Sequence, residues 1–204
     1  MYPIDLFRDR TPEAIGKFRK SAVMLLVVNE DGVEKLVLEK RAMTMRSQPG
    51  DICLPGGGID PGETPKEAAV REVTEELNIR EEDIDYIGPM DFFISPYGQI
   101  MYPFVSRSRV SQFTPNPLEV DTVLKVPLDY FLHTKPLQYD MDIKPEIGED
   151  FPYDLIQNGR KYQFTRGVFT QYFYKYEGHV IWGYTARVIK SFIDILKEEP
   201  NEEL

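Results

Sequence analysis

Residues 57–79 read GGIDPGETPKEAAVREVTEELNI. The second half of this stretch carries the marks of a helix. Thr64 is a natural N-cap, Pro65 stands at the first helical position, and Glu67 completes a capping box. The helix is predicted to run to about Leu77. Asn78 then occupies the C′ position, where only glycine tolerates the left-handed conformation better. Glu72, Glu75 and Glu76 lie three and four residues apart, and therefore share one helical face. Two unit charges about 6 Å apart repel by roughly 3 kcal/mol at an effective dielectric of about 20. In water the same pair costs only about 0.2–0.5 kcal/mol, so most acidic faces of this kind are plain solvated surface. Two neighbours argue for more. Glu63 and Arg71 are placed to form an ion pair that ties loop to helix and orients the acids. Gly56-Gly57-Gly58 precedes them, a backbone that can approach a ligand closely or lend a carbonyl to a metal. Hard oxygen donors at this density suit Mg²⁺ or Mn²⁺.

Upstream, residues 22–28 and 35–40 are apolar and β-rich, split by the turn Asn29-Glu30-Asp31-Gly32, which signals a hairpin. Residues 41–49 form a polar, basic loop, and 52–54 a short strand. Residues 1–20 read as a lead-in with a short helix opening at Thr11-Pro12-Glu13. Downstream, strands are expected at 84–87, 92–94, 101–106 and 122–127, with a helical turn at 128–133. The stretch 135–157 is rich in Pro, Asp and Glu and reads as a surface insert. Residues 161–165 and 172–176 are strand-like. Residues 181–197 have the i, i+3, i+4 pattern of a closing amphipathic helix. The elements interleave without a parallel βαβ rhythm. They predict one α/β domain over 1–204, a mixed sheet flanked by helices.

Composition narrows the partners. The net charge of −10, from 34 acids against 24 bases, disfavours a general nucleic-acid or anionic-membrane binder. A small phosphate ligand needs only a few local cations or a metal. The single cysteine, Cys53, rules out an internal disulfide framework and fits a reducing compartment. No apolar run approaches the roughly 18 residues of a membrane span, and the charged start is unlike a secretory signal. A cytoplasmic location is expected. Cys53 reads as a structural thiol, and His133 and His179 have no companions at ligand spacing.

Gly57, Glu63 and Arg71-Glu72-Val73-Thr74-Glu75-Glu76-Leu77-Asn78-Ile79 together resemble the Nudix box, G-x5-E-x7-R-E-U-x-E-E-x-G-U, with U a bulky aliphatic. Only the last glycine departs, and Asn78 can serve the αL turn it makes. The resemblance implies a Nudix-type α/β/α sandwich that hydrolyses a pyrophosphate linked to a nucleoside or similar group. It also implies roles. Glu72 and Glu76 would be the main metal ligands, Glu75 would assist or polarise water, and the Gly56 carbonyl would complete the inner shell. Glu63 and Arg71 would be structural and electrostatic supports. Glu119 sits where several family members place an extra ligand or base. An ordinary loop acid is the other reading of Glu119.

The choice of substrate falls to the preceding segment. Leu38-Glu39-Lys40-Arg41-Ala42, Arg46, Gly50 and Leu54-Pro55-Gly56-Gly57 are similar to the pattern of coenzyme A pyrophosphatases. The departures are a shifted hydrophobic pair at Val37-Leu38, Glu39 where threonine is usual, and Leu54 where phenylalanine is usual. Arg41 and Arg46 could supply fork-shaped donors to the extra phosphate of coenzyme A, or they could pair with Asp51 or Glu39. Products would be 4′-phosphopantetheine and adenosine 3′,5′-bisphosphate. Two rival readings remain: a Nudix enzyme for ADP-ribose, dinucleotide polyphosphates or damaged nucleotides, and a catalytically silent nucleotide-sensing domain. The Tyr and Phe residues of 162–176 read as core or homodimer interface, or as a frame for adenine or pantetheine.

Overall fold

The structure is a computed structural model and describes residues 4–198. The expected hairpin forms from β1 (Arg19–Glu30) and β2 (Val33–Arg41), which pair antiparallel. β2 also takes β3 (Ile52–Cys53) and β8 (Val120–Pro127) as antiparallel neighbours. β1 is central. Its first residues pair antiparallel with β4 (Gly56–Gly58), and its length runs parallel to β7 (Gln99–Ser108). β5 (Ile84–Pro89) and β6 (Phe93–Ser95) extend β7. The sheet is therefore mixed.

Alternate residues of a strand point to opposite faces. On β1, Ala22, Met24, Leu26 and Val28 meet Ala68, Ala69, Val73 and Leu77 of α1 (Pro65–Leu77). Val23, Leu25 and Val27 meet the other side. There α2 (Leu128–His133), α3 (Gly183–Lys197) and Tyr174 of β10 (Gly167–Tyr176) cover the sheet. Covering both faces explains why 22–28 is apolar without alternation. Met24, Leu25 and Leu26 are wholly buried, each contributing roughly 1.5–3 kcal/mol by burial. The result is the expected α/β/α sandwich.

The helix signals of α1 hold. Thr64 Oγ1 accepts from the Glu67 N–H at 3.2 Å, and Glu67 Oε2 accepts from the Thr64 N–H at 2.8 Å. Asn78 adopts the left-handed conformation, φ 51° and ψ 50°.

Elsewhere the structure corrects the reading. No helix opens at Thr11; the lead-in instead holds a 3₁₀ turn at Ile4–Phe7, and residues 10–14 are irregular. Ile15 is fully exposed, so a helix there would lack the packed apolar face that short helices need. The insert contains a strand, β9 (Leu137–Ile143), although its residues are mostly exposed. β9, β10 and β11 (His179–Trp182) form a second, three-stranded antiparallel sheet. Residues 161–165 form no strand; Tyr162 and Phe164 pack edge-on to each other, and Phe164 packs on Phe151. α3 starts at Gly183 rather than Ile181, because Ile181 and Trp182 are paired with Tyr174 and Phe173 in the ladder. Residues 1–3 of the lead-in and 199–204 lie outside the described residues.

Candidate active site

Arg71 organises the acids of α1. Its Nε donates to Glu63 Oε1 at 2.9 Å, and its Nη2 to Glu63 Oε2 at 3.1 Å and to the Gly58 carbonyl at 3.0 Å. Nη1 donates to Glu72 Oε1 at 2.9 Å and Glu75 Oε2 at 3.2 Å. One fork therefore ties the loop to the helix and aims two further carboxylates. The pair with Arg71, joined by the Asp60 N–H, holds Glu63 below the usual carboxylate range.

Glu76 lies deeper, 5% exposed, and its Oε2 accepts from the Gly56 N–H at 2.8 Å. Glu72 sits directly under Gly57, where an added Cβ would stand 2.3 Å from Glu72 Oε1. The glycine turn thus lies against both carboxylates. Burial lifts Glu72 and Glu76 above the ordinary range. Glu75 is the exposed member, with 56% of its side chain open.

The loop carrying Glu119 is fastened to this group. The Asn116 N–H donates to the Glu76 carbonyl, and the Ala42 N–H to the Glu119 carbonyl, both at 2.8 Å. The charge of Glu119 is felt at Glu39, Glu72 and Glu76.

Glu39 was not among the expected site residues, and the structure puts it there. Val37 on β2 faces α1, and Glu39 is the next residue of that face. It is 1% exposed, and among the described residues its Oε1 has no hydrogen-bond partner. Burial, then the charge of Glu76, drives its pKa up. The signal was available: a glutamate in register with a buried strand residue, on the same face.

Arg41 and Arg46 part company. Arg41 donates from Nε to the Ser47 carbonyl at 3.2 Å. It lines a cavity of about 450 Å³ together with Gly56, Gly57, Tyr97, Trp182 and Tyr184. Arg46 is exposed on the same loop and is not among the residues lining that cavity. Cys53 neighbours Glu39 in the ladder. Burial pushes its thiol up to about 12, which makes it unreactive. Of the aromatic stretch, Tyr174 is core, while Phe173 stacks on Trp182 at 6.0 Å beside the cavity.

The donors fit a hard divalent cation. All are oxygens. A buried Oε1 without a partner and three carboxylates lifted by burial, or by burial and mutual repulsion, are what a dication relieves. Among the described residues no three acids already converge into an ion cage, and Arg71 holds Glu72 and Glu75.

The raised acids set a pH dependence. Glu39 and Glu76 bind protons more tightly folded than unfolded. Their contribution to stability is therefore intact below the ordinary value of about 4.5 and declines as pH rises above it. The chelator-treated protein is expected to melt progressively lower from about pH 5 to pH 8. The slope is on the order of 1.4 kcal/mol per pH unit for each extra proton held. Saturating Mg²⁺ should flatten the slope. A melting temperature independent of pH over that window would contradict the buried placement of both acids.

A fold of this kind, with an Arg71-centred glutamate helix beneath a glycine turn, defines a class. The sequence profile of the NUDIX domain matches residues 18–142. The chain belongs to the Nudix family, whose hydrolases act on small nucleotide substrates and generally use divalent metal ions. It is 33% identical over 120 residues to a peroxisomal coenzyme A diphosphatase of Caenorhabditis elegans, covering 55% of this chain and 51% of that one. It is 31% identical over 134 residues to a peroxisomal coenzyme A diphosphatase of Mus musculus, covering 65% and 56%. With an uncharacterized Nudix hydrolase of Photorhabdus laumondii it shares 28% over 180 residues, covering 87% and 86%. The match spans about half the length of several curated relatives. Among the described residues no helix is long and apolar enough to cross a membrane.

Proposed function

We propose that the chain hydrolyses the pyrophosphate of coenzyme A or a derivative, in the presence of Mg²⁺ or Mn²⁺, to 4′-phosphopantetheine and adenosine 3′,5′-bisphosphate. The observation that carries this reading is the cavity. Arg41, the glycine turn, Tyr97, Trp182 and Tyr184 all line it. An anionic pyrophosphate with an adenine or pantetheine arm has complementary chemistry. The likeness to two coenzyme A diphosphatases supports the same choice.

Glu72, Glu76 and the Gly56 carbonyl would hold the metal, with Glu75 beside them. When bound, it would neutralise pyrophosphate charge and make a bound water acidic enough to attack phosphorus. The rest falls to the chain. Arg71 and Glu63 keep the acids aimed and the loop attached. Gly57 leaves room for the Glu72 carboxylate beneath the turn. Arg41 would take up phosphate charge at the cavity wall. Glu119 would accept the proton of the attacking water or add a further oxygen donor.

A second reading, a Nudix pyrophosphatase for ADP-ribose, dinucleotide polyphosphates or damaged nucleotides, is favoured by Arg46 lying away from the cavity and by Glu39 in place of threonine. A substrate panel separates them. With Mg²⁺ or Mn²⁺, the purified chain should cleave coenzyme A, its thioesters or its disulfide at higher kcat/KM than ADP-ribose or diadenosine tetraphosphate. The reverse order overturns the coenzyme A assignment and leaves the hydrolase class standing.

A further inference from the structure

Glu39 is costly where it stands. β2 is interior to the sheet there, with Glu39 opposite Cys53 on β3 and Val123 on β8. Its side chain shares the face of Val37, toward α1, where Glu76 is buried. A buried carboxylate without compensation is among the most unfavourable groups a core can hold. The side-chain partner it has is another acid, Glu76, with which it shares a hydrogen bond. Oε1 is unpaired, and the charged groups acting on Glu39 are Glu76, Glu119 and Arg41. Two of these three repel it. The third, Arg41, donates from its Nε to the Ser47 carbonyl. Yet Glu39 is within hydrogen-bonding reach of Glu76, and the charge of Glu119 acts on both. A cation between β2 and α1 would satisfy the orphan oxygen and relieve the repulsion at once.

We propose that Glu39 is a further carboxylate donor to the divalent metal, reaching from the sheet to the ion that Glu76 holds. The site then has two walls. α1 supplies donors from a helix whose acids are preset by Arg71, and β2 supplies one from a strand that cannot move without breaking two ladders. Such a donor restricts the ion's position more than an exposed Glu75 can. The inference rests on the metal-dependent reading of the site but is independent of the substrate.

The alternative role is structural: a protonated Glu39 that donates a hydrogen bond to Glu76. Glu39→Gln distinguishes the two, since glutamine keeps the shape and the donor but not the charge. The measurement is Mn²⁺ binding to the metal-free full chain by calorimetry, without substrate, alongside melting with and without Mn²⁺. Glu39→Gln is expected to weaken Mn²⁺ binding at least about tenfold, the effect of losing a group close to the ligands. Its metal-free melting temperature should equal or exceed that of the parent, because a buried unpaired acid is gone. Parent-like Mn²⁺ affinity in Glu39→Gln overturns the proposal. Glu39→Asp, which keeps the charge but retracts the oxygens by one methylene, covers the case in which the glutamine variant does not fold. Its affinity should fall several-fold, and an unchanged value overturns the proposal too. If the parent chain binds no Mn²⁺, the metal reading itself fails, an outcome separate from any result of the substrate panel.

Discussion

Glu76→Gln is expected to lower metal-dependent turnover by a factor of at least about 10³. A divalent metal acting on a phosphoryl oxygen is worth several kcal/mol, and about 4 kcal/mol corresponds to three powers of ten in rate. Glu76 is the most buried acid of α1 and takes the Gly56 N–H. Glutamine can still accept that hydrogen bond, so the turn should stay in place. What disappears is one negative charge from a group that also contains Glu39, Glu72 and Glu119. Melting of the metal-free variant should match or exceed the parent, since less like charge is confined. The check is kcat with Mg²⁺ on the preferred substrate, together with circular dichroism and a thermal melt. Full activity in a folded Glu76→Gln variant would remove the metal assignment from this residue.

Gly56→Ala is expected to have the largest effect on stability. Gly56 has φ 146°, a conformation side chains rarely adopt. A Cβ there would stand 2.3 Å from the Ala22 carbonyl oxygen and 2.7 Å from the Val23 Cα. Both obstacles are backbone of β1, the strand packed on both faces, so they cannot give way cheaply. Strained backbone costs about 1–3 kcal/mol and overpacking about as much again, for a total of roughly 3 kcal/mol or more. In a chain of this size that lowers the melting temperature by about 6–12 °C. Calorimetry or a denaturant melt measures it. A change within about 2 °C would mean that β4 does not lie as close to β1 as the structure has it.

How much of the site could be read beforehand depended on the range of the interaction. Thr64, Pro65, Glu67 and Asn78 act within one turn of their own helix, and all were legible. The same holds for Glu63 and Arg71, whose pairing follows from loop length and helical pitch. The Arg46 side chain was not legible, because a nine-residue loop segment of mixed polarity leaves its direction open to tertiary contacts. The β9 strand was obscured for a related reason. Its acidic, proline-flanked composition resembles a coil, and only the partner edge of β10 supplies the hydrogen bonds that make it a strand.

Glu39 shows the same division most sharply. In the sequence it was a departure from threonine that placed negative charge near a phosphate site. In the fold it is a wholly buried acid set against Glu76. By itself the sequence determined the helix, its caps, the hairpin and the acid face, since each rests on local spacing and periodicity, and its resemblance to the Nudix box pointed to the family. Only the tertiary structure decided that β2 and α1 face each other across one layer of core, that Gly56 and Gly57 press on two carboxylates, and that Arg41 and the aromatic residues share a cavity. Those relations join residues far apart in the chain, and they exist only once burial of both faces of β1 has fixed the layers in register.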